Sequence, residues 1–216
     1  NSLLVTSHRP RLLTTNLLRY CVCVTMPGDE ASVPELSHNL QILKIQEERV
    51  SAYEDFEAAI RALIAGGAEE DYEKACAGIT QRFKSASEHV NSVDAALLAK
   101  DTAAAKGLSS WIRKLQSCEK DKLFLTVASH IERKRLAKIR IAVEASAKRM
   151  AEHKEHAPEG ASCACVKKQE ADKELDELAL EVHGDQVDAM NKDINGFVEK
   201  INEILDEIRY WESEDE

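Results

Sequence analysis

Eight apolar residues, Tyr72, Cys76, Ile79, Phe83, Ala86, Val90, Val93 and Leu97, follow one another at alternating steps of four and three. A strand turns over every second residue, so no sheet face accepts this row. An α-helix, at about 3.6 residues per turn, places all eight on one side. The four-and-three rhythm is also the heptad spacing by which helices lie along one another for many turns. This segment therefore specifies a long helix with a narrow apolar seam, and the seam demands other helices to cover it.

The flanking sequence supplies them. From Glu35, the positions Leu36, Leu40, Leu43, Val50, Tyr53, Phe56, Ile60 and Leu63 suggest a first helical face, which Gly66-Gly67 stops. Glu69, Glu70 and Asp71 favour the start of the second helix. Asp101 or Thr102 is placed to cap a third, with Gly107 expected to delay regular helix until Ser109 or Ser110. Its seam runs through Leu108, Ile112, Leu115 and Cys118, crosses the apolar stretch Leu123 to Ala128, and continues through Leu136, Ile139, Val143, Ala147 and Met150. Pro158 and Gly160 break it inside a polar linker from about Glu155 to Val166. A fourth helix carries Leu175, Leu178 and Val182, changes phase near Gly184, and resumes with Val187, Met190, Ile194, Phe197, Ile201, Ile204 and Ile208. With only 8 Gly and 4 Pro in 216 residues, the punctuation of a many-stranded protein is missing.

The expected fold is all-α, an antiparallel four-helix bundle with unequal helices. Because the third and fourth helices outrun the first two, residues beyond about 133 and before about 187 are expected to project as a coiled-coil stalk. The helical domain is read as 35–211, with a leader at 1–34 and an acidic tail at 212–216. Residues 1–28 hold Arg9, Arg11 and Arg19 but no Asp or Glu, a composition shared by organelle transit peptides. A gene-model extension ahead of Met26 is the preferred reading of the same stretch, and residues 1–25 do not decide between them.

A net charge of −10 argues against the whole surface being a nucleic-acid footprint, because Lys and Arg dominate phosphate binding. Six irregularly spaced cysteines fit reduced thiols in the nucleus or cytoplasm better than a disulfide framework. No stretch is apolar over the roughly 18 residues that a membrane span requires. The densest basic run is Arg133, Lys134, Arg135, Lys138, Arg140, Lys148 and Arg149, and pairing with Glu170, Asp172, Glu174, Asp176, Glu177, Glu181 and Asp185 on the antiparallel neighbour is the expected fate of its charges. His153, His156, Cys163 and Cys165 are four zinc-ligand types within a short linker, but Cys-x-Cys is a less typical spacing than Cys-x2-Cys, and no metal is assigned. Cys76, Cys118, Trp111 and Phe124 are read as packing residues. No phosphate loop, nucleophile elbow or His-Glu-x-x-His motif occurs, so no catalytic residue or cofactor is expected.

Phe83-Lys84-Ser85-Ala86-Ser87, then Ile112-Arg113-Lys114-Leu115-Gln116 leading through Glu119-Lys120-Asp121-Lys122-Leu123 to Leu125-Thr126, resembles the "required for excision 1-B" DNA-repair family. The closing run Ile201 to Tyr210 is similar to that family's end, so the resemblance covers roughly Leu43 to Tyr210. It implies a part in excision repair of damaged DNA and names no catalytic residue. The resulting expectation is a non-catalytic adaptor in nucleotide excision repair whose partners are other proteins, with direct nucleic-acid binding weak and no membrane. Its expected interaction surface comprises Lys120, Lys122, Arg133, Lys134, Arg135, Lys138 and Arg140, with Lys120 and Lys122 facing outward. The alternative is a cytoskeletal or trafficking coiled-coil scaffold subunit.

Overall fold

The computed structural model describes residues 37–156 and 164–211, with side chains omitted at 150, 153–156 and 164–172. Four helices account for them: α1 (His38–Ile64), α2 (Glu69–Leu98), α3 (Ala103–His156) and α4 (Ala164–Arg209). No strand occurs among the described residues. The Ser37 side chain accepts from the Leu40 amide at 3.5 Å at the head of α1. At its end Gly66 takes φ +99°, and the amides of Gly66 and Gly67 bond back to Leu63 and Ala62 at 3.1 and 3.0 Å. This double closure needs a left-handed residue, which glycine supplies without steric cost. The α2–α3 turn uses Asp101 in that role, at φ 54°. Thr102 then caps α3 by accepting from the Ala105 amide at 3.1 Å.

Successive helices run antiparallel. Ser51 and Asp55 of α1 meet Arg82 of α2, Asp94 of α2 meets Ser109 and Arg113 of α3, and Ser129 of α3 meets Asn191 of α4. The helix pairs in contact are α1 with α2, α3 with α4, α2 with α3, and α1 with both α3 and α4, whereas α2 and α4 stand on opposite diagonals. One core cluster joins all four helices around Ile42, Val90, Ile112, Leu115 and Ile208. A second joins Ala52 and Phe56 to Ile79 and Phe83, with Leu123 against it. At about 1.5 Å per residue, α3 is about 80 Å long and twice the length of α1. Beyond Leu136 on α3 and before Val187 on α4, no described residue is buried.

The α2 seam lies where the heptad rhythm puts it, with Ile79 through Leu97 buried and Tyr72 and Cys76 partly so. Four expectations need correction. In the first half of α1 the inward positions are Ile42, Ile45, Gln46 and Arg49, while Leu40 is half exposed, because two inward sites hold polar residues that an apolar pattern passes over. Gly107 does not delay α3, which begins at Ala103; it lies where the Trp211 ring closes over the helix, and a Cβ there would sit 2.5 Å from Trp211 Cη2. Phe124 is 74% exposed, on a face of α3 that no described helix covers. Leu175, Leu178 and Val182 are exposed too, since α4 turns Asp176, Ala179, Leu180 and His183 inward instead.

Candidate functional site

Between the two core clusters lies a layer of buried polar side chains. Gln46, Arg49, Glu119 and Lys122 are all buried, and Arg49 is only 2% exposed. Two turns of α1 and two of α3 bring them together, because Gln46, Arg49 and Tyr53 share one helical face, as do Gln116, Glu119 and Lys122. The Glu119 carboxylate accepts from the Gln46 amide and from the Tyr53 hydroxyl at 3.1 Å. Arg49 donates to Gln116, to Ser87 at 3.3 Å and to Gln46 at 3.5 Å, and Gln116 donates onward to Asn91 at 3.3 Å. Lys122 places its ammonium 3.7 Å from the centre of the Tyr53 ring.

Two cations here share one carboxylate. Burial pulls the Arg49 guanidinium and the Lys122 ammonium below their ordinary pKa values, with Glu119 opposing the shift in both. Burial and the adjoining Glu119 charge push the Tyr53 phenol up, so it remains a donor. Among the described residues, no buried side-chain nitrogen or oxygen is left without a partner.

A second polar junction ties α3 to the ends of α1 and α2. Arg133 donates to both oxygens of Glu57 at 2.6 and 2.9 Å, and His130, 3% exposed, holds Nε2 3.6 Å from the same carboxylate. The His130 ring packs on Phe56 with centroids 4.1 Å apart, and its Nδ1 lies 3.5 Å from the Tyr72 hydroxyl. Partial burial would raise the Glu57 carboxyl, but hydrogen bonding to His130 and to Arg133, with their charges, outweighs it and holds the group at about 2.

The residues that carry these junctions lie within one continuous stretch. Residues 38–133 match the family described as DNA repair REX1-B. The match supports the resemblance to that DNA-repair family over this span. No curated protein and no solved structure matches the chain. The REX1-B span opens at the first residue of α1 and closes at Arg133, the residue that grips α1 from α3. The run Ile201 to Tyr210 falls outside it. The name of the matched family indicates a role in DNA repair.

Within this chain, the expected interaction surface separates into several fates. Lys122 does not face outward; it is buried against Tyr53, because residue 122 lies one turn from Glu119 on the inward face. Lys120 is exposed. Arg133 and Lys134 do pair, but with Glu57 of α1 and Glu69 of α2 instead of the acids of α4. Arg135 pairs with Glu132 on its own helix at 2.6 Å, and Glu132 also meets His183 of α4 at 2.8 Å. Lys138 and Arg140 are exposed and have no ion pair among the described residues. The structure thus brings Lys120, Arg135 and Lys138 onto one outer face of α3, and Arg140 lies on another.

Sequence reading passed over Gln46, Arg49, Tyr53, Glu57 and His130 as site residues. The available signal was Gln46 and Arg49 interrupting the apolar face of α1 at a one-turn spacing. An open groove of about 500 Å³ beside the α2–α3 turn is lined by Lys106, Ser110, Arg113 and Lys114 among others; Lys106 and Arg113 pair with Asp101 and Asp94 at 2.7 and 3.2 Å, and Lys114 lies 3.8 Å from the centre of the Trp111 ring. No cluster of metal-ligating side chains occurs among the described residues. The side chains of His153, His156, Cys163 and Cys165, and residues 1–36 and 212–216, lie outside those described. No described helix is long and apolar enough to cross a membrane.

Proposed function

We propose that this chain acts in excision repair as a non-catalytic adaptor, a helical surface on which other repair proteins assemble. The observation that carries the reading is how the REX1-B span uses its ionisable groups. Glu119 accepts from Gln46 and Tyr53, Arg49 donates to Gln116 and Lys122 lies on the Tyr53 ring in one closed layer, and Glu57, His130 and Arg133 engage one another below it. Groups so engaged hold helices in register and leave no free nucleophile–base pair facing a cavity. Exposed apolar and charged residues on α3 and α4 remain for contact with partners.

The test is survival after ultraviolet exposure of cells lacking the protein, complemented with wild-type chain or with Lys120→Glu. Loss should sensitise the cells, and repair complexes recovered from them should be incomplete. Normal survival of the null cells, or cleavage of damaged DNA by the purified protein alone, refutes the adaptor.

A further inference from the structure

Trp211, the last described residue, is held at three points. Its amide bonds back to the Ile208 carbonyl at 3.4 Å, its own carbonyl accepts from Asn39 at 3.0 Å, and its ring lies on Gly107. The chain therefore leaves α4 beside the first turns of α3. Gly107 and Lys114 are seven residues apart, so they fall on one line of α3, about 10 Å from one another. Along the neighbouring line, Lys106, Ser110, Arg113 and Ser117 recur at steps of four, three and four and floor the open groove beside the α2–α3 turn. Trp211 thus stands at the rim of that groove, at its Lys106 end.

The groove is cationic, and its charges are incompletely used. Asp94, 17% exposed, accepts from Ser109 and from Arg113 Nε at 3.2 Å, which leaves the two terminal nitrogens of Arg113 without a carboxylate among the described residues. Lys114 rests on the Trp111 ring at 3.8 Å and has no ion pair there either. Lys106 pairs with Asp101, but that carboxylate is 83% exposed, and such a pair contributes little in water. The end of α4 offers the opposite sign. From 203 to 209 it carries Glu203, Asp206 and Glu207, and its one cation, Arg209, pairs with Asp206 at 2.5 Å.

Four of the next five residues are acids, Glu212, Glu214, Asp215 and Glu216, around Ser213. We infer that this run turns back along α3 and occupies the groove, with its carboxylates on Lys106, Arg113 and Lys114. Five residues extend over at most about 17 Å, and from Lys106 to Ser117 the groove is about 17 Å long at about 1.5 Å per residue. The acids of α4 repel the run, and the cations of α3 attract it. Attachment through Trp211 holds it beside the groove at an effective concentration of about millimolar, so it outcompetes a free acidic segment present at micromolar level. An acidic segment of another protein then enters the groove by displacing it. The inference stands apart from the repair role proposed above, because it rests on the groove, its charges and the anchor at Gly107.

The test is the proton–nitrogen amide spectrum of the full chain at low salt, with and without the charges of 212–216. E212Q, E214Q, D215N and E216Q together should shift the amides from Lys106 to Ser117 and leave those of the Phe56 and Phe83 core unmoved. R113Q with K114Q should shift the amides of 212–216 in return. Salt at about 1 M, which screens charges beyond about 3 Å, should bring the wild-type spectrum to that of the neutralised variant. An α3 whose amides ignore the charges of 212–216 overturns the proposal. So does a difference between the two chains that survives high salt, or one that grows with protein concentration, the mark of a run seated on a second copy.

Discussion

The Arg133 guanidinium closes on the Glu57 carboxylate through two hydrogen bonds of 2.6 and 2.9 Å, fastening α3 to α1 close to where α1 ends. His130 and Arg61 approach the same carboxylate at 3.6 and 3.8 Å, and Tyr72 reaches His130 from α2. Three helices are therefore tied at one acidic group, and beyond Leu136 on α3 and before Val187 on α4 no described residue is buried.

The tie makes stability depend on acid. The Glu57 pKa falls from an ordinary 4.5 to about 2 on folding, so its contribution is complete above about pH 5 and fades as pH falls from there through 2. With its side chain 41% exposed, solvent screens the pair, and about 1 kcal/mol is the expected size. Urea unfolding of Glu57→Gln and wild type should therefore differ by about this much at pH 7 and converge near pH 2. A gap that persists unchanged in acid would show that Glu57 acts through packing alone.

In the upper layer, two cations and one carboxylate predict an asymmetry. Glu119→Ala leaves Arg49 and Lys122 buried without a counter-charge and should cost about 3–5 kcal/mol. Lys122→Met removes the surplus cation, keeps an unbranched stem on the Tyr53 ring and preserves Arg49 with Glu119, so it should cost less than about 1.5 kcal/mol. Chemical denaturation of the two variants decides the order, and the reverse order would mean that Lys122 is the needed partner of Glu119.

Gly107 offers a test with a sign opposite to helix propensity. Inside an exposed helix, Gly→Ala gains about 1 kcal/mol. Here the added methyl meets the Trp211 ring, whose backbone carbonyl accepts from Asn39 of α1 at 3.0 Å. Gly107→Ala should lower the melting temperature and, in a Trp111→Phe background, shift Trp211 fluorescence to the red. A stabilised variant with unchanged fluorescence would show that the ring is not held there.

The heptad row of α2 was legible because every inward position is apolar, from Ile79 to Leu97. The start of α1 was not, since Gln46 and Arg49 face inward and their partners Glu119 and Gln116 stand on a helix distant in sequence. Periodicity also cannot tell a covered apolar row from an uncovered one. Leu175, Leu178 and Val182 have the spacing of a seam, yet α4 turns another arc toward α3. The basic run was visible as charge, but Glu57 and Glu69, which take two of its cations, lie far upstream and became its partners only through the fold.

Lys120 and Lys122, two residues apart, should separate function from folding. Lys120 is exposed at the upper end of the α3 face that also carries Phe124 and Lys138, whereas Lys122 is buried beside Glu119. Lys122→Glu places a second carboxylate in a layer that already accommodates one, an uncompensated burial that should unfold much of the population. Lys120→Glu changes only a solvated charge and should leave the melting temperature within about 1 °C, as surface substitutions usually alter stability by less than about 0.5 kcal/mol. In ultraviolet-treated null cells, Lys122→Glu should fail with low protein abundance, and Lys120→Glu should impair survival at normal abundance. Full rescue by Lys120→Glu would remove the outer face of α3 from the repair role, and a stable, abundant Lys122→Glu protein would contradict the buried layer itself.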